Sequence, residues 1–261
     1  MSFFKTLQFI NRHPLAKRHE ARAYGNFFLW QFSQRMFPGF RKMSFVGDTC
    51  LIAKKGLEGA TGNIYCGLHE FEEMAFLLHF LRENDCFYDV GANIGSYTVL
   101  TAGHCNANVL SFEPIPQTFE ILQRNIAINH IEKKVKALLV GVGSENGSTR
   151  FTDSLDSLNH VRSSMENELD DNFINVSVVS LDDICDSQNC PSLIKIDVEG
   201  FETEVLRGMK RILTNDILKA VIIELNGSGG RYGFDEDLVH LEFLQNGFLP
   251  FQYEPFERKL I

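Results

Sequence analysis

The chain lacks several features that mark whole classes of protein. No apolar run approaches the roughly 18–20 residues that a membrane-spanning helix requires. Residues 1–5 have neither a long apolar stretch nor a small-residue cleavage site, the marks of a secretory signal peptide. The G-x-x-x-x-G-K-[ST] loop of nucleotide triphosphatases is also missing. We therefore expect a cytoplasmic protein that neither spans a membrane nor belongs to the nucleotide triphosphatases with this loop.

Clustered cysteines are missing as well. The six cysteines are scattered, with no C-x-x-C pair and no matching histidine spacing. A zinc site or a disulfide framework needs tighter clustering than this. We therefore expect free or buried thiols, and no spacing in the chain requires a metal.

Charge is distributed unevenly along the chain. The net charge is −9, but residues 1–47 hold eight Lys and Arg against one acid, which gives +7 there and −16 for the remainder. Because phosphate binding needs a basic surface, the acidic main body argues against nucleic acid as a partner. Residues 1–42 are also rich in aromatics, and Pro14 and Pro38-Gly39 divide them into two short helical pieces. Two interpretations stay open: the aromatics pack on the main domain, or the segment contacts an anionic membrane surface peripherally.

Strand and helix patterns alternate through most of the chain. A short strand at 49–53 and a glycine-marked loop at 56–62 precede a helix that starts near Phe71. After this helix, the sequence predicts apolar strands, separated by helices, at residues 86–90, 109–112, 135–140, 193–198 and 220–225. Continuous apolar strands of this kind form parallel sheets that helices cover on both faces. The sequence predicts a doubly wound, mostly parallel, Rossmann-like α/β sheet over residues 67–261, with a helical extension over residues 1–66.

Two segments depart from this alternation. Residues 141–180 form a polar, acidic insertion, and a hairpin is predicted there near 150–152 and 176–180. Residues 247–261 are predicted to add one or two strands at the end of the chain, with few residues left for the last one.

The first strand of the alternation leads into Asp89-Val90-Gly91-Ala92-Asn93-Ile94-Gly95. Ligands of open α/β sheets bind beyond the carboxyl ends of the strands, where glycines let them approach the backbone. Glu113 ends the next strand, where an acid can accept hydrogen bonds from ribose hydroxyls. We predict an adenosine-type cofactor site made of Asp89, Gly91, Asn93, Gly95 and Glu113.

The glycine loop also bears on which cofactor binds. A dinucleotide fingerprint, G-x-G-x-x-G, needs a second glycine to admit the pyrophosphate, and here that position is Asn93. S-adenosylmethionine has no phosphate and presents an amino acid moiety, which a polar side chain accommodates. The loop thus favours S-adenosylmethionine, and an NAD-dependent oxidoreductase remains the alternative.

The sequence resembles the FkbM-family methyltransferases from about residue 85 to residue 251. The resemblance rests on the glycine loop and on Phe112-Glu113-Pro114, Leu181-Asp182-Asp183, Ile194-Lys195-Ile196-Asp197-Val198-Glu199-Gly200-Phe201-Glu202 and Val221-Ile222-Ile223-Glu224. It implies a class I methyltransferase that transfers a methyl group from S-adenosylmethionine to a hydroxyl, often on a sugar, glycolipid or polyketide. It also adds Asp182 to the expected cofactor residues.

Lys195, Asp197 and Glu199 alternate with apolar residues, so a two-residue period places all three on one face of a strand. Because an unpaired charge in a covered strand is costly, we expect an ion pair between Lys195 and Asp197 near the open end. Methylation of a hydroxyl needs a base, and a carboxylate can act as one. Asp197 and Glu199 are therefore the leading catalytic candidates, with Lys195 beside them.

Other interpretations of these residues stay open. Glu199 and Glu202 could simply favour the start of a helix, where the dipole stabilises acids. His160, in the insertion, is a rival base because histidine titrates near neutrality. His69 and Glu70 could line an acceptor entrance, and helix capping is the alternative for Glu70. Finally, the chain could be a non-catalytic docking module that uses its basic N-terminal segment.

Overall fold

The computed structural model describes residues 3–152, 161 and 173–261. Within these ranges the helices are α1 (Phe3–Arg12), α2 (Pro14–Arg18), α3 (Glu20–Met36), α4 (Glu58–Cys66), α5 (Phe71–Phe80), α6 (Ser96–Val99), α7 (Pro116–Ile128), α8 (Leu181–Ile184), α9 (Glu202–Arg207), α10 (Lys210–Leu213) and α11 (Glu236–Gln245). A π-helix, Leu100–His104, continues α6, and a 3-10 helix spans Ser228–Tyr232.

The strands are β1 (Arg41–Ser44), β2 (Cys50–Ala53), β3 (Cys86–Val90), β4 (Asn108–Phe112), β5 (Val135–Leu138), β6 (Gly141–Val142), β7 (Gly147–Thr152), β8 (Phe173–Val179), β9 (Leu193–Ile196), β10 (Ala220–Ile223), β11 (Tyr253–Glu254) and β12 (Lys259–Leu260). Five of them form the central sheet in the order β10-β9-β3-β4-β5, and every neighbouring pair is parallel. The predicted doubly wound sheet is confirmed. Its strand order reverses between β3 and β9, where such sheets bind ligands.

Alternation along the strands divides the core between the two faces of this sheet. Phe87 packs with α5, the π-helix and α7 on one face. Its neighbour Tyr88 packs with Ile194 and with the helix residues Val205 and Leu206 on the other. Both faces are thus covered by helices, which explains why the strands are apolar throughout.

The N-terminal helices share a core with the sheet domain. Phe27 and Trp30 of α3 are buried with residues of α4, with Ile94 of the glycine loop and with Ile121 of α7. The buried His13 ring nitrogen Nε2 lies 2.7 Å from the carbonyl oxygen of Leu68. The N-terminal segment therefore packs directly behind the glycine loop.

Two predictions for this region were wrong. Residues 3–36 form three helices rather than two short pieces, because the chain breaks at His13-Pro14 and again at His19, whose φ of −137° is not helical. The glycine-marked stretch is a helix, α4, rather than a loop. Burial of its apolar residues Ala60, Ile64 and Tyr65 outweighs the low helix propensity of glycine there.

The insertion and the tail follow the predictions more closely. The predicted hairpin exists, since β7 and β8 pair antiparallel, with β6 on the other side of β8. Residues 247–261 contain two short strands, β11 and β12, which pair with each other in a separate sheet. Among the described residues no helix combines the length and apolar character needed to cross a bilayer.

Candidate active site

The glycine loop leaves β3 through a sharp turn that needs positive φ angles. Gly91 has φ +81°, Asn93 +51° and Gly95 +91°. A Cβ on Gly91 would lie 1.8 Å from the carbonyl oxygen of Asp197, and one on Gly95 would lie 2.5 Å from Leu122 Cδ1. Both glycines are therefore required by sterics: the first lets the loop meet the end of β9, and the second lets it meet α7.

Glu113 anchors this loop from the end of β4. It is buried, and its carboxylate accepts hydrogen bonds from the backbone N–H groups of Asn93 and Ile115, both at 2.9 Å. Burial raises the pKa of Glu113 to about 7. The acid that the sequence placed at the ribose position thus lies next to the glycine loop, and a carboxylate with two oxygens can accept further hydrogen bonds.

Asp89 lies beneath the loop rather than beside a cavity. Its side chain is buried and accepts a hydrogen bond of 2.6 Å from Thr98 Oγ1. Burial raises its pKa to about 6, against the opposing attraction of Lys195. The position is that of a residue that holds the first turn of α6 against the strand end.

Lys195 and Asp197 form the predicted ion pair, with Lys195 Nζ 2.6 Å from Asp197 Oδ2. The Lys195 side chain is buried, and its ammonium lies 4.7 Å from the ring centroid of Tyr97. Burial alone would lower the pKa of Lys195, but Asp197, Glu70 and Asp89 together raise it above its ordinary value. This ammonium therefore stays charged and neutralises the acids around it.

Glu199 follows in a left-handed backbone conformation, with φ +54°. A non-glycine residue held there stores strain, and such strain is concentrated at functional sites. Burial, followed by the charges of Asp197 and Glu224, raises the pKa of Glu199 to about 7, and a hydrogen bond with Asn226 opposes the rise. Glu199 is thus half-buried between the ends of β9 and β10.

The helix-start interpretation fits Glu202 but not Glu199. Glu202 begins α9, and its Oε1 accepts from the backbone N–H groups of Gly200 (3.1 Å) and Val198 (3.3 Å). Glu202 therefore stabilises the loop, whereas Glu199 precedes the helix and faces a cavity.

A second polar group, largely missed at the sequence level, comes from α5 and α6. Tyr97 Oη lies 2.5 Å from Glu70 Oε2 and 3.1 Å from Glu73 Oε2. Burial and the neighbouring Glu70 raise the pKa of Glu73 to about 7. Glu70 precedes α5 but makes no side-chain capping bond there, so the capping interpretation does not hold. The approach of α5 to α6 brings these groups together, and no local motif signals it.

These residues line two adjoining cavities at the carboxyl edge of the sheet. Each encloses several hundred Å³, about 630 Å³ for the first and 530 Å³ for the second, partly open to solvent. The first is lined by Gly91, Asn93, Glu113, Ile115, Val142, Phe151, Asp197 and Glu199, among others. The second is lined by Asn63, His69, Glu70, Gly91, Asn93, Ser96, Tyr97, Lys195 and Asp197, among others. Gly91, Asn93 and Asp197 line both cavities, so the two adjoin, and we call them together the cleft.

Acidic side chains predominate over basic ones in the lining of this cleft. Glu113 and Glu199 line the first cavity, Glu70 lines the second, and Asp197 lines both. Among the described residues that line the two cavities, Lys195 is the sole Lys or Arg, and Asp197 already pairs with it. Such a surface favours a ligand with positive charge and repels a pyrophosphate.

Sequence comparison now identifies the family. The model of the methyltransferase FkbM domain matches residues 89–250, which include the end of β3, the glycine loop, β9 and β10. The chain belongs to the FkbM methyltransferase family. The resemblance drawn from the motifs is confirmed.

Alignments with named methyltransferases cover about half to three fifths of this FkbM protein and about three fifths to two thirds of each relative. Hexuronic acid methyltransferase AglP of Haloferax volcanii is 32% identical over 160 residues, 60% of this chain and 62% of that protein. Methyltransferase 1 of Beauveria bassiana is 28% identical over 172 residues, 58% of this chain and 68% of that protein. Among solved structures, an rRNA methylase from Streptococcus thermophilus aligns with a TM-score of 0.40 at 17% identity, covering 68% of this chain and 78% of that one.

Asp89, Gly95 and Asp182 were predicted to contact the cofactor, but they do not line the cleft. The Asp182 carboxylate accepts from the backbone N–H groups of Arg211 (2.8 Å) and Ile212 (3.0 Å), and so caps the start of α10. His160 lies outside the described residues. Val161 is described, and it forms an isolated antiparallel β-bridge with Phe151. Tyr232 Oη donates a 2.6 Å hydrogen bond to the carbonyl oxygen of Val161. The hairpin thus reaches the first cavity through Phe151.

Proposed function

We propose that the protein is an S-adenosylmethionine-dependent O-methyltransferase that acts on a hydroxyl of a sugar, glycolipid or related metabolite. The observation that carries the proposal is the acid-lined cleft at the switch point of the sheet, reached by a glycine loop. Its carboxylates suit the sulfonium and ammonium charges of that cofactor and oppose the phosphates of NAD. S-adenosylmethionine supplies an electrophilic methyl group when it is bound.

The residues of the cleft divide naturally between the parts of this cofactor. Glu113 would hold the ribose hydroxyls, since it lines the first cavity at the end of β4. Gly91 and Asn93 would lie under the cofactor where the cavities join. Asp197 would accept a hydrogen bond from the cofactor's ammonium group, while the ion pair with Lys195 orients its carboxylate.

Glu199 is the proposed base. Its raised pKa, about 7, suits removal of a proton from a hydroxyl near neutral pH, and it lines the first cavity beside Asp197. Asp197 is the weaker candidate, because its Oδ2 is already occupied by Lys195 Nζ at 2.6 Å. Glu199 would accept the proton of the acceptor hydroxyl as the hydroxyl oxygen attacks the methyl carbon. Asn226 would orient the Glu199 carboxylate. Alignment of the acceptor by the cleft walls would contribute most of the rate.

The acceptor class rests on the relatives. AglP is named for hexuronic acid, and a sugar hydroxyl is an acceptor that a carboxylate base can activate. We also place the protein in the cytoplasm, in peripheral contact with a membrane through residues 1–42.

Calorimetry and a labelled methyl-transfer assay test the proposal together. S-adenosylmethionine should bind the wild-type protein, and Glu113→Ala should weaken that binding. Glu199→Gln should bind the cofactor as the wild type does, yet transfer methyl groups to a panel of saccharides and glycolipids about 10²–10⁴-fold more slowly. Glu120→Gln, an exposed change on α7, is the matched control and should alter neither result.

Two outcomes would overturn the assignment. Binding of NAD without binding of S-adenosylmethionine would establish the oxidoreductase alternative. Binding of neither, together with no transfer to any acceptor, would favour a docking module.

A further inference from the structure

The outer surface of the N-terminal helices carries an unusual set of exposed apolar side chains. Phe4, Leu29 and Phe32 are 77%, 69% and 65% exposed. We define the N-terminal apolar face as Phe3, Phe4, Phe28, Leu29, Phe32, Met36 and Phe37, all of which are exposed. Helix α3 carries four of the seven, and Phe37 follows directly after its last residue. Large contiguous patches of this kind mark interaction sites.

Helix α3 has two distinct sides. Ala23, Phe27, Trp30 and Gln34 recur at helical spacing and are buried against the rest of the protein. Phe28, Leu29, Phe32 and Met36 recur on the opposite side and are exposed. The buried side holds α3 against the rest of the protein. Packing among the described residues therefore does not explain why the other side is apolar.

Ring contacts show that the face is continuous across α1 and α3. The Phe3 and Phe4 ring centroids lie 5.9 Å apart, and Phe3 lies 5.4 Å from Phe27. Phe27 in turn lies 5.3 Å from Phe28. The exposed rings of α1 therefore stand beside those at the middle of α3.

Basic side chains surround this face. Lys5 and Arg35 are exposed on α1 and α3, and the Arg41 guanidinium lies 5.4 Å from the Phe37 ring centroid. The segment to residue 47 carries +7, and the rest of the chain −16. Near a negatively charged surface, this separation of charge orients the molecule, because the surface attracts the basic segment and repels the acidic remainder.

We propose that the N-terminal apolar face docks on an anionic lipid bilayer. Its Phe and Leu side chains enter the boundary between headgroups and acyl chains, and the flanking Lys and Arg contact lipid phosphates. The face lies flat on the surface, so that its apolar side chains reach the depth at which interfacial helices bind. The surface is separate from the proposed active site and its function does not depend on methyl transfer.

Vesicle flotation of the full chain tests this directly, without methyl donor or acceptor. The protein should float with vesicles of equal parts phosphatidylcholine and phosphatidylglycerol, and much less with phosphatidylcholine alone. Phe28→Ser/Phe32→Ser should weaken the binding by at least about tenfold, since each buried apolar side chain contributes about that factor or more. Arg35→Gln should weaken it about fivefold at low salt and less at high salt.

The chain supplies its own matched control. Leu238 and Leu241 on α11 are 59% and 47% exposed, so Leu238→Ser/Leu241→Ser removes similar exposed apolar area far along the sequence. This variant should float as the wild type does. Circular dichroism and thermal unfolding establish that both double variants are folded.

Three results would overturn the proposal: no flotation of the wild type with anionic vesicles, equal flotation of both double variants, or equal binding to neutral vesicles. A dimer in solution that Phe28→Ser/Phe32→Ser dissociates, with no vesicle binding, would assign the face to a second copy instead. None of these results bears on methyl transfer, which is measured separately in an assay with a soluble acceptor.

Discussion

Replacing Lys195 by Met will destabilise the protein strongly, and more at high pH than at low pH. Lys195 is buried and 2.6 Å from Asp197, whose side chain is 24% exposed. Breaking a buried ion pair costs about 3–5 kcal/mol because the remaining charge is uncompensated. Since Asp197 keeps some contact with solvent, we expect the lower end, about 3 kcal/mol, in chemical denaturation at pH 7.

The pH dependence follows from Asp89. Its pKa is already raised to about 6 with Lys195 present, and losing the ammonium will raise it further. A carboxyl with a raised folded pKa stabilises the protein fully below its unfolded pKa and loses that contribution as pH rises through the folded value. The deficit of Lys195→Met should therefore grow between pH 5.5 and pH 8.

Two companion variants make the test specific. Lys195→Met/Asp197→Asn removes both charges and should recover at least about 1 kcal/mol relative to the single variant. Lys136→Met, an exposed change on β5, should stay within about 0.5 kcal/mol of the wild type. A loss below about 1 kcal/mol for Lys195→Met, or a double variant no more stable than the single one, would refute the reasoning.

Two further predictions concern the glycine loop and its anchor. Burial raises the pKa of Glu113 to about 7, so its contribution to stability is complete below about pH 4.5 and is lost as pH rises through 7. Chemical denaturation should show that the free energy of unfolding is lower at pH 8 than at pH 5, and Glu113→Gln should reduce this difference by up to about 3 kcal/mol. The same difference in the variant and the wild type would contradict the assignment. Gly91→Ala should lower stability by more than about 2 kcal/mol in thermal unfolding, because its Cβ would lie 1.8 Å from a backbone oxygen at φ +81°. Gly230→Ala, where a Cβ meets nothing within 4 Å, should change stability little, and equal losses at both positions would contradict the steric argument.

Much of the sheet could be predicted from the sequence because its order is local. Apolar runs of strand length predicted β3, β4, β9 and β10, and the expected ion pair between Lys195 and Asp197 forms. The placement of Glu199 on the same strand face was wrong, because β9 ends at Ile196 and Glu199 lies in a turn with φ +54°. The glycine pattern placed the loop at the end of β3, and Glu113 does lie beside it.

The rest depended on contacts between distant segments. Tyr97 meets Glu70 because α5 packs on the π-helix that continues α6, and neither residue belongs to a recognisable motif. Helix α4 forms despite Gly59 and Gly62 because tertiary burial overrides propensity. Asp182 was placed at the cofactor by resemblance alone, whereas its position at the start of α10 is set by the packing of α8 on α10.

The contact between Gly91 and the Asp197 carbonyl oxygen has a consequence for changing what the enzyme accepts. A Cβ on Gly91 would lie 1.8 Å from that oxygen, so the loop and the end of β9 leave no room for a larger residue in the floor of the cleft. The walls are made differently: Phe151 stands on an inserted hairpin, and His69 and Glu70 on the connection between α4 and α5. Selection for a larger or smaller acceptor would therefore act on the hairpin and on that connection, leaving the floor unchanged.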